Sequence, residues 1–255
     1  MKQYKELIDN ILSFGESKLD RTGAGTKSLF GTQLKFNLYQ GFPLVTIREI
    51  NWRAAFGELA GFLTGATTSQ EFRDFGCNYW NSFGEDLGPI YGAQWRDFNG
   101  VDQLDDLMTG LSMTPYSRRH VLSTWNPADL SKMVLPPCHI IAQFNVVGKA
   151  LDCIVYMRSV DVMLGLPYDI TIYALLTHLI AYELGLNPRE LTFFMGDTHI
   201  YNNHIAGAYY LMSLEPQDLP SLQLSPEASV FGFDPKDANV VFYMPHPKYN
   251  FELNV

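Results

Sequence analysis

One stretch with almost no polar side, residues 172–184, restricts the fold of this chain more than any other segment. Its apolar residues cover nearly every side of a helix, which predicts a helix buried in the protein interior. His178 lies within it, and we expect an interior histidine with satisfied hydrogen bonds rather than a ligand. With 255 residues, 47% of them hydrophobic, the chain is long enough to enclose such a helix in one domain, 1–255. No apolar stretch approaches the roughly 20 residues of a membrane span.

The remaining patterns predict strands and helices interspersed without a regular alternation. Helical spacing of apolar residues predicts helices at 2–15 and at 51–64, and Glu58 lies in the second. Extended segments are predicted at 28–38, 140–147, 150–156, 191–194 and 240–243, and a mixture of loops and short helices at 69–115. This arrangement predicts an α+β fold in which helices cover a mixed β-sheet.

Charge and cysteine content exclude several functions. The formal net charge of −9 disfavours a nucleic-acid polymer as partner, since that needs a broad basic surface. Three cysteines, Cys77, Cys138 and Cys153, without a CxxC pair argue against a disulfide framework and for a reducing cytoplasm. The charged, amphipathic first ten residues do not look like a signal peptide, so we expect a cytoplasmic protein.

Two segments could supply a nucleophile and an anion site. Cys138 follows a stiff Pro-Pro pair and precedes a predicted strand, where a thiol could be held still, although a lone cysteine is more often a small buried residue. Four arginines and a serine suit phosphate binding, although any single arginine is more often a solvated surface charge. They are Arg21, Arg118, Arg119, Arg158 and Ser159.

Polar residues also gather at two further places. Asp161 and Asp169 flank an apolar turn that leads into the core helix, and Asp169 could simply cap that helix. The segment GDTHIYNNH follows a predicted strand, and its His199 and His204 are five residues apart, which is not the HExxH zinc arrangement. We therefore expect no metal site.

Taken together, these motifs resemble the thymidylate synthase family. The similar segments are MKQYKELI at the start, then DRTGAGT, GFPLVT, DLGPIYGAQWR, SRR, LPPCH, MRSVDVMLGLPYDI and GDTHIYNNH, in the order of that family. The resemblance implies a mixed α+β fold that dimerises through its sheet. It also implies that a cysteine thiolate, here Cys138, adds to C6 of a deoxypyrimidine monophosphate, whose C5 then takes a one-carbon unit from 5,10-methylenetetrahydrofolate.

The resemblance assigns a role to each matching residue. Glu58 would organise proton-shuttling waters, and Tyr91 would lie near the base that removes the C5 proton. The nucleotide phosphate would be held by Arg21, Arg158 and Ser159 and, from the other subunit, by Arg118 and Arg119. The sugar hydroxyl would be held by His199 and Tyr201. The folate would be held by Trp80, Asp161 and Arg48, and Val255 would help close the site.

Asp169 is the departure that bears most on substrate choice, because the family's thymidylate synthases have asparagine there. An aspartic acid can accept from the 4-amino group of cytosine and share a proton with N3, whereas an ionised carboxylate would oppose O4 of uracil. We therefore expect dCMP rather than dUMP as substrate, as in the dCMP-using relatives that this position resembles. Met157, where glutamine is typical, fits a rearranged base pocket.

Several readings of the activity stay open. We favour a dCMP methyltransferase giving 5-methyl-dCMP, with a dCMP hydroxymethylase second, in which water rather than hydride ends the reaction. An ordinary dUMP thymidylate synthase that tolerates Asp169 comes third, and a catalytically dead nucleotide-binding or RNA-binding relative fourth. Two further segments depart from the family, Ala60-Gly61 and the terminal FELNV. The second leaves open whether the C-terminus closes over the site. The resemblance to cytosine-modifying relatives implies that this protein comes from a bacteriophage and takes part in DNA modification.

Overall fold

The computed structural model describes residues 1–254, in which helices cover one six-stranded sheet. The helices are α1 (Lys2–Phe14), α2 (Trp52–Thr64), α3 (Ser69–Asp74), α4 (Tyr91–Arg96), α5 (Gln103–Met113), α6 (Leu166–Glu183) and α7 (Ile205–Met212). The strands are β1 (Glu16–Lys18), β2 (Thr26–Asn37), β3 (Val121–Ser123), β4 (His139–Val147), β5 (Ala150–Asp161), β6 (Asn187–Tyr201), β7 (Ser221–Leu224) and β8 (Ala238–Val241). Short 3₁₀ turns lie at Leu38–Gln40, Tyr79–Phe83, Leu130–Lys132, Asn202–His204 and Pro235–Asp237. The predicted α+β class is confirmed.

The main sheet has the order β1-β2-β6-β5-β4-β3, and β7 pairs with β8 separately. Neighbouring strands are antiparallel except β5 and β6, which run parallel. A parallel pair needs a crossover connection, and α6 provides it. The carboxyl ends of β5 and β6 therefore meet at one edge of the sheet, where antiparallel β4 and β2 begin.

The predicted core helix is confirmed as α6, which packs against α2, β5 and β6. Thirteen of its residues are buried, as an apolar surface on all sides requires. The expectation for His178 is corrected in part. The imidazole packs edge-on against Phe42, but the buried Nε2 has no hydrogen-bond partner among residues 1–254. Burial lowers the pKa of His178 to about 4, so the ring is neutral.

Two strands are longer than the sequence pattern predicts. Strand β5 was expected at 150–156 and continues through Arg158 to Asp161. Strand β6 was expected only at 191–194 and continues through the polar segment to Tyr201. Both continue because they remain paired, for example Ser159 with Asp197. The polar side chains of these strand ends face a cavity rather than the core. The strand ends therefore lack the alternation of apolar residues by which strands are predicted from a sequence.

The face of the sheet that the helices leave uncovered carries a row of apolar side chains. Ile141, Tyr156 and Phe194 are direct neighbours across β4, β5 and β6. Each is 41% exposed. We call these three residues the outer apolar row. In the part of the chain described, no helix is long and apolar enough to cross a membrane.

The Ala60-Gly61 departure in α2 has a packing explanation. The buried ring of Phe72 lies directly against Gly61, and a Cβ at this position would clash with it. Phe72 in turn stacks on Trp80, with ring centroids 5.5 Å apart. The phenyl ring of Phe72 thus occupies the space that a larger side chain at position 61 would need, and it packs against the indole of Trp80.

Candidate active site

A cavity of about 1130 Å³ lies at the edge of the sheet where the parallel strands end. Its walls include the carboxyl ends of β5 and β6, the start of β4 and the first turn of α6. The volume slightly exceeds the usual range for ligand pockets, so the cavity has room for more than one small molecule.

Most of the residues expected at the site line this cavity. They are Arg21, Glu58, Trp80, Tyr91, Cys138, Arg158, Ser159, Asp161, Asp169, His199 and Tyr201. Arg118 and Arg119 do not: they are exposed on the loop between α5 and β3. Val255 lies outside the described residues.

Arg48 is also outside the cavity lining and is 3% exposed. Its guanidinium donates to the backbone oxygen of Met163 (2.6 Å) and lies 5.3 Å from the ring centroid of Phe251 in the C-terminal segment. In this conformation Phe251 covers Arg48. The expected contact with a folate therefore requires Phe251 to move.

Arg158 fixes the position of the cysteine. Its Nε and Nη2 donate to the backbone oxygens of Pro137 (2.8 Å) and Pro136 (2.7 Å). Tyr91 accepts from the backbone N–H of Cys138 (3.0 Å) through its hydroxyl oxygen. Its φ of +20° is unusual for a tyrosine. The Pro-Pro-Cys segment is thus held from both sides.

The electrostatics at Cys138 are mixed. Burial raises the pKa of the thiol, and the Arg158 charge opposes this effect, while Asp169 adds to it. The expected cation is therefore present, but the pKa of the thiol is still above its ordinary value. A thiolate at Cys138 is therefore disfavoured in this conformation.

Glu58 lies on α2 and points into the same cavity. Its Oε1 accepts from the indole Nε1 of Trp80 (3.0 Å). Burial raises the pKa of Glu58 to about 8, against the opposing effect of the Trp80 hydrogen bond. At neutral pH the side chain is therefore a carboxylic acid that can exchange a proton near physiological pH.

Asp169 does not cap α6. The helix begins at Leu166, the cap position is Gly165, and the Asp169 carboxyl lines the cavity with its side chain 19% exposed. Burial raises the pKa of Asp169 well above its ordinary value, and the nearby Glu58 and Asp161 add to this. Burial therefore favours the protonated form of Asp169.

The raised pKa of Asp169 weakens the expected opposition between an ionised carboxylate and uracil O4, because burial favours the carboxylic acid. A carboxylic acid has one donor and one acceptor oxygen, like an amide, and can pair with either pyrimidine depending on which oxygen holds the proton. Selectivity then depends on what fixes the position of that proton.

Other polar residues are oriented by their neighbours. Asp161 accepts from the backbone N–H groups of Met163 and Leu164 (both 3.0 Å) through Oδ1. The imidazole Nδ1 of His199 lies 3.1 Å from Asp197 Oδ1, and Asp197 also pairs with Lys18. These contacts leave Asp161 Oδ2 and His199 Nε2 for ligands.

Sequence reasoning assigned no role to several residues at this site. His139 and Tyr168 line the cavity, and Tyr173 lies behind His139 with its hydroxyl against the imidazole. The position of His139 directly after Cys138 was the available signal. Phe251 also lines the cavity, because the C-terminal segment folds back against His204, whose Nε2 donates to the backbone oxygen of Glu252 (2.9 Å).

A cysteine held from both sides, two carboxyls whose pKa burial raises and a cavity of this size are features of an enzyme active site. The sequence profile of thymidylate synthase matches residues 2–255, and the chain belongs to this family. The family carries out folate-dependent transfer of a methyl group to C5 of a pyrimidine nucleotide, with methylenetetrahydrofolate as cosubstrate. Among residues 1–254, no group of three or more potential ligand side chains is placed to hold a metal ion.

The raised pKa of Glu58 predicts a pH-dependent cost to folding. Between pH 4.5 and about 8 the unfolded state loses the Glu58 proton and the folded state keeps it, so stability falls as pH rises through this window. Glu58→Gln removes this titration and retains an acceptor for Trp80. We expect the free energy of unfolding of the variant, relative to that of the wild type, to increase from pH 4.5 to 8 by about a few kcal/mol at most.

Urea unfolding at several pH values measures this difference. Glu6→Gln, at an exposed glutamate on α1, is the matched control and should leave the pH slope unchanged. A Glu58→Gln variant that follows the wild-type slope would show that Glu58 ionises normally in the folded protein.

Proposed function

We propose that the chain is a folate-dependent methyltransferase that acts on dCMP in preference to dUMP and forms 5-methyl-dCMP. The observation that carries the proposal is the Asp169 carboxyl in the cavity lining, at a position where thymidylate synthases have asparagine, and burial there raises its pKa. A carboxylic acid can accept from the cytosine 4-amino group and can also give its proton to N3, whereas an amide cannot release one.

The proton on Asp169 completes the first covalent step. The Cys138 thiolate bonds to C6, the C5=C6 electrons move to C4=C5, and the C4=N3 electrons move to N3, which takes the proton from Asp169. Asp169 becomes a carboxylate and C5 becomes a nucleophilic enamine carbon. When the thiolate later leaves C6, N3 returns its proton to Asp169. The folate supplies the one-carbon unit and, for a methyl product, the hydride.

Other residues take the roles that the resemblance implies, within a single catalytic domain, 1–255. Glu58, with its pKa of about 8, exchanges protons through water near C5, on the side of Tyr91. The phosphate binds to Arg21, Arg158 and Ser159, the sugar to His199 and Tyr201, and the folate to Trp80 and Asp161. We assign Arg48 to the folate only after Phe251 moves, and Val255 to closure.

Hydroxymethylation of dCMP is the second candidate. Phe251 and Leu253 of the C-terminal segment line the cavity, which supports exclusion of water and a methyl product. The amide of Asn254 lines it too and offers a polar group that could hold a water near the reacting carbon. The two products differ by one oxygen atom in mass.

We also propose a homodimer in which each copy completes the site of the other. The outer apolar row gives the sheet a face suited to burial against a second copy. Arg118 and Arg119 are exposed and absent from the lining of their own cavity, which supports their reaching a phosphate in the partner. The charge and exposure of these arginines fit this role.

Product masses test the substrate. We expect wild-type protein, given methylenetetrahydrofolate and equal dCMP and dUMP, to convert dCMP to a product heavier by CH₂, or by CH₂O for hydroxymethylation. Asp169→Asn should lower dCMP turnover by roughly 10²–10⁴-fold, because the amide cannot protonate N3. The pair Met157→Gln with Asp169→Asn should recover use of dUMP. Consumption of dUMP alone by the wild type would refute the dCMP assignment.

Subunit mixing tests the shared site. We expect Cys138→Ser and the double variant Arg118→Ala with Arg119→Ala to be nearly inactive separately. Hybrid dimers should carry one intact site, so a 1:1 exchange should recover about a quarter of wild-type activity. Sedimentation confirms that dimers form. Hybrids that form but stay inactive would place these arginines in the site of their own subunit.

A further inference from the structure

A buried pair behind the base pocket is not used by the steps above. The Tyr173 hydroxyl on α6 lies 2.7 Å from Nδ1 of His139 on β4. Tyr173 is 1% exposed and His139 is 3% exposed. Around the tyrosine ring are Trp95 and Phe193, with centroids 6.3 Å and 6.1 Å away.

These surroundings determine the tautomer of His139. Burial lowers the pKa of His139 to about 3, so the imidazole is neutral and carries one N–H. Nδ1 of His139 is the only hydrogen-bond partner of the Tyr173 hydroxyl within residues 1–254. If Nδ1 were the donor, the phenol proton would be buried without an acceptor, which is costly. The hydroxyl therefore donates to Nδ1, and the imidazole proton lies on Nε2.

Nε2 of His139 lies 3.9 Å from Asp169 Oδ1, which is about 1 Å longer than a hydrogen bond. Catalytic hydrogen bonds are often this long before substrate binds and shorten in the complex. The Nε2–H of His139, next to Oδ1, favours the form of Asp169 in which Oδ1 is the unprotonated oxygen and can accept a hydrogen bond. The acid proton of Asp169 is thereby directed to Oδ2.

We propose that Tyr173 is a positioning residue which, through the tautomer of His139, places the Asp169 proton on Oδ2 and so selects cytosine over uracil. The inference rests on the proposed function. It explains how a neutral carboxyl, which could pair with either base, presents one fixed pattern of acceptor and donor.

The orientation of the base follows from the side on which His139 lies. Its ring packs on that of Tyr91, with centroids 4.2 Å apart, and the proposed function places Tyr91 near C5. In a pyrimidine C4 lies between C5 and N3, so the oxygen on the His139 side, Oδ1, meets the 4-substituent and Oδ2 meets N3. An acceptor at Oδ1 and a donor at Oδ2 match the amino group and N3 of cytosine. Uracil would face two mismatches, O4 against a lone pair and N3–H against O–H.

Tyr173→Phe tests the inference, since it removes only the hydroxyl. Without that donor, Nδ1 can hold the imidazole proton, Nε2 becomes an acceptor, and the Asp169 proton can move to Oδ1. We expect the ratio of kcat/KM for dCMP to that for dUMP to fall by about tenfold. Thr177→Val is the matched control: its buried hydroxyl, one turn along α6, donates only to the backbone oxygen of Tyr173 (2.7 Å), and its ratio should not change.

The outcomes separate the two proposals. A wild type that prefers dUMP overturns the proposed function, whereas a wild type that prefers dCMP with an unchanged ratio in Tyr173→Phe overturns the inference. The ¹⁵N spectrum of the wild-type histidines, with His139→Gln for assignment, gives a second test that needs no folded Tyr173 variant. We expect the Nε2–H tautomer at His139, and an Nδ1–H tautomer would overturn the inference.

Discussion

The parallel pairing of β5 with β6 is the constraint on which the rest of the structure depends. It requires a crossover, and α6 fills that connection as a helix buried on nearly every side. The same pairing brings the carboxyl ends of both strands and the first turn of α6 to one edge of the sheet. Cys138 arrives there just before the antiparallel β4, and Asp169 arrives in the first turn of α6. One topological feature therefore brings Cys138, Asp169 and Arg158 together, the residues that we propose as nucleophile, acid and phosphate ligand.

Burial, rather than net charge, sets the chemistry of this edge. It raises the pKa values of Glu58 and Asp169 and lowers that of His139, so it favours the uncharged form of all three groups at the cavity. The positions of their protons then determine which hydrogen-bond donors and acceptors face the substrate. An acid beside a directed N–H presents one pattern of donor and acceptor, as a fixed amide does, and can in addition exchange its proton with the substrate. This combination suits a base whose N3 must be protonated during the reaction.

Much of the fold could be predicted from the sequence, because α6, α1, α2 and the β4–β5 hairpin have strong periodic patterns. The three-residue strands β1 and β3 are too short to show a period, and the ends of β5 and β6 were missed because their polar side chains face a cavity. Family motifs placed most site residues at this cavity. They gave no indication that Phe251 covers Arg48, or that Tyr173 lies against His139, because both contacts join segments far apart in the chain. The raised pKa of Asp169 likewise depends on burial, which no local pattern reveals.

We propose that the Asp169 pocket recognises cytosine before any chemistry occurs. Calorimetric titration of the wild-type protein with dCMP and with dUMP, at neutral pH and without folate, measures this selectivity in the binding step alone. Two mismatched polar contacts should weaken dUMP binding by roughly tenfold to a hundredfold relative to dCMP. Equal affinities, or tighter binding of dUMP, would contradict this account of Asp169 and the substrate assignment that depends on it.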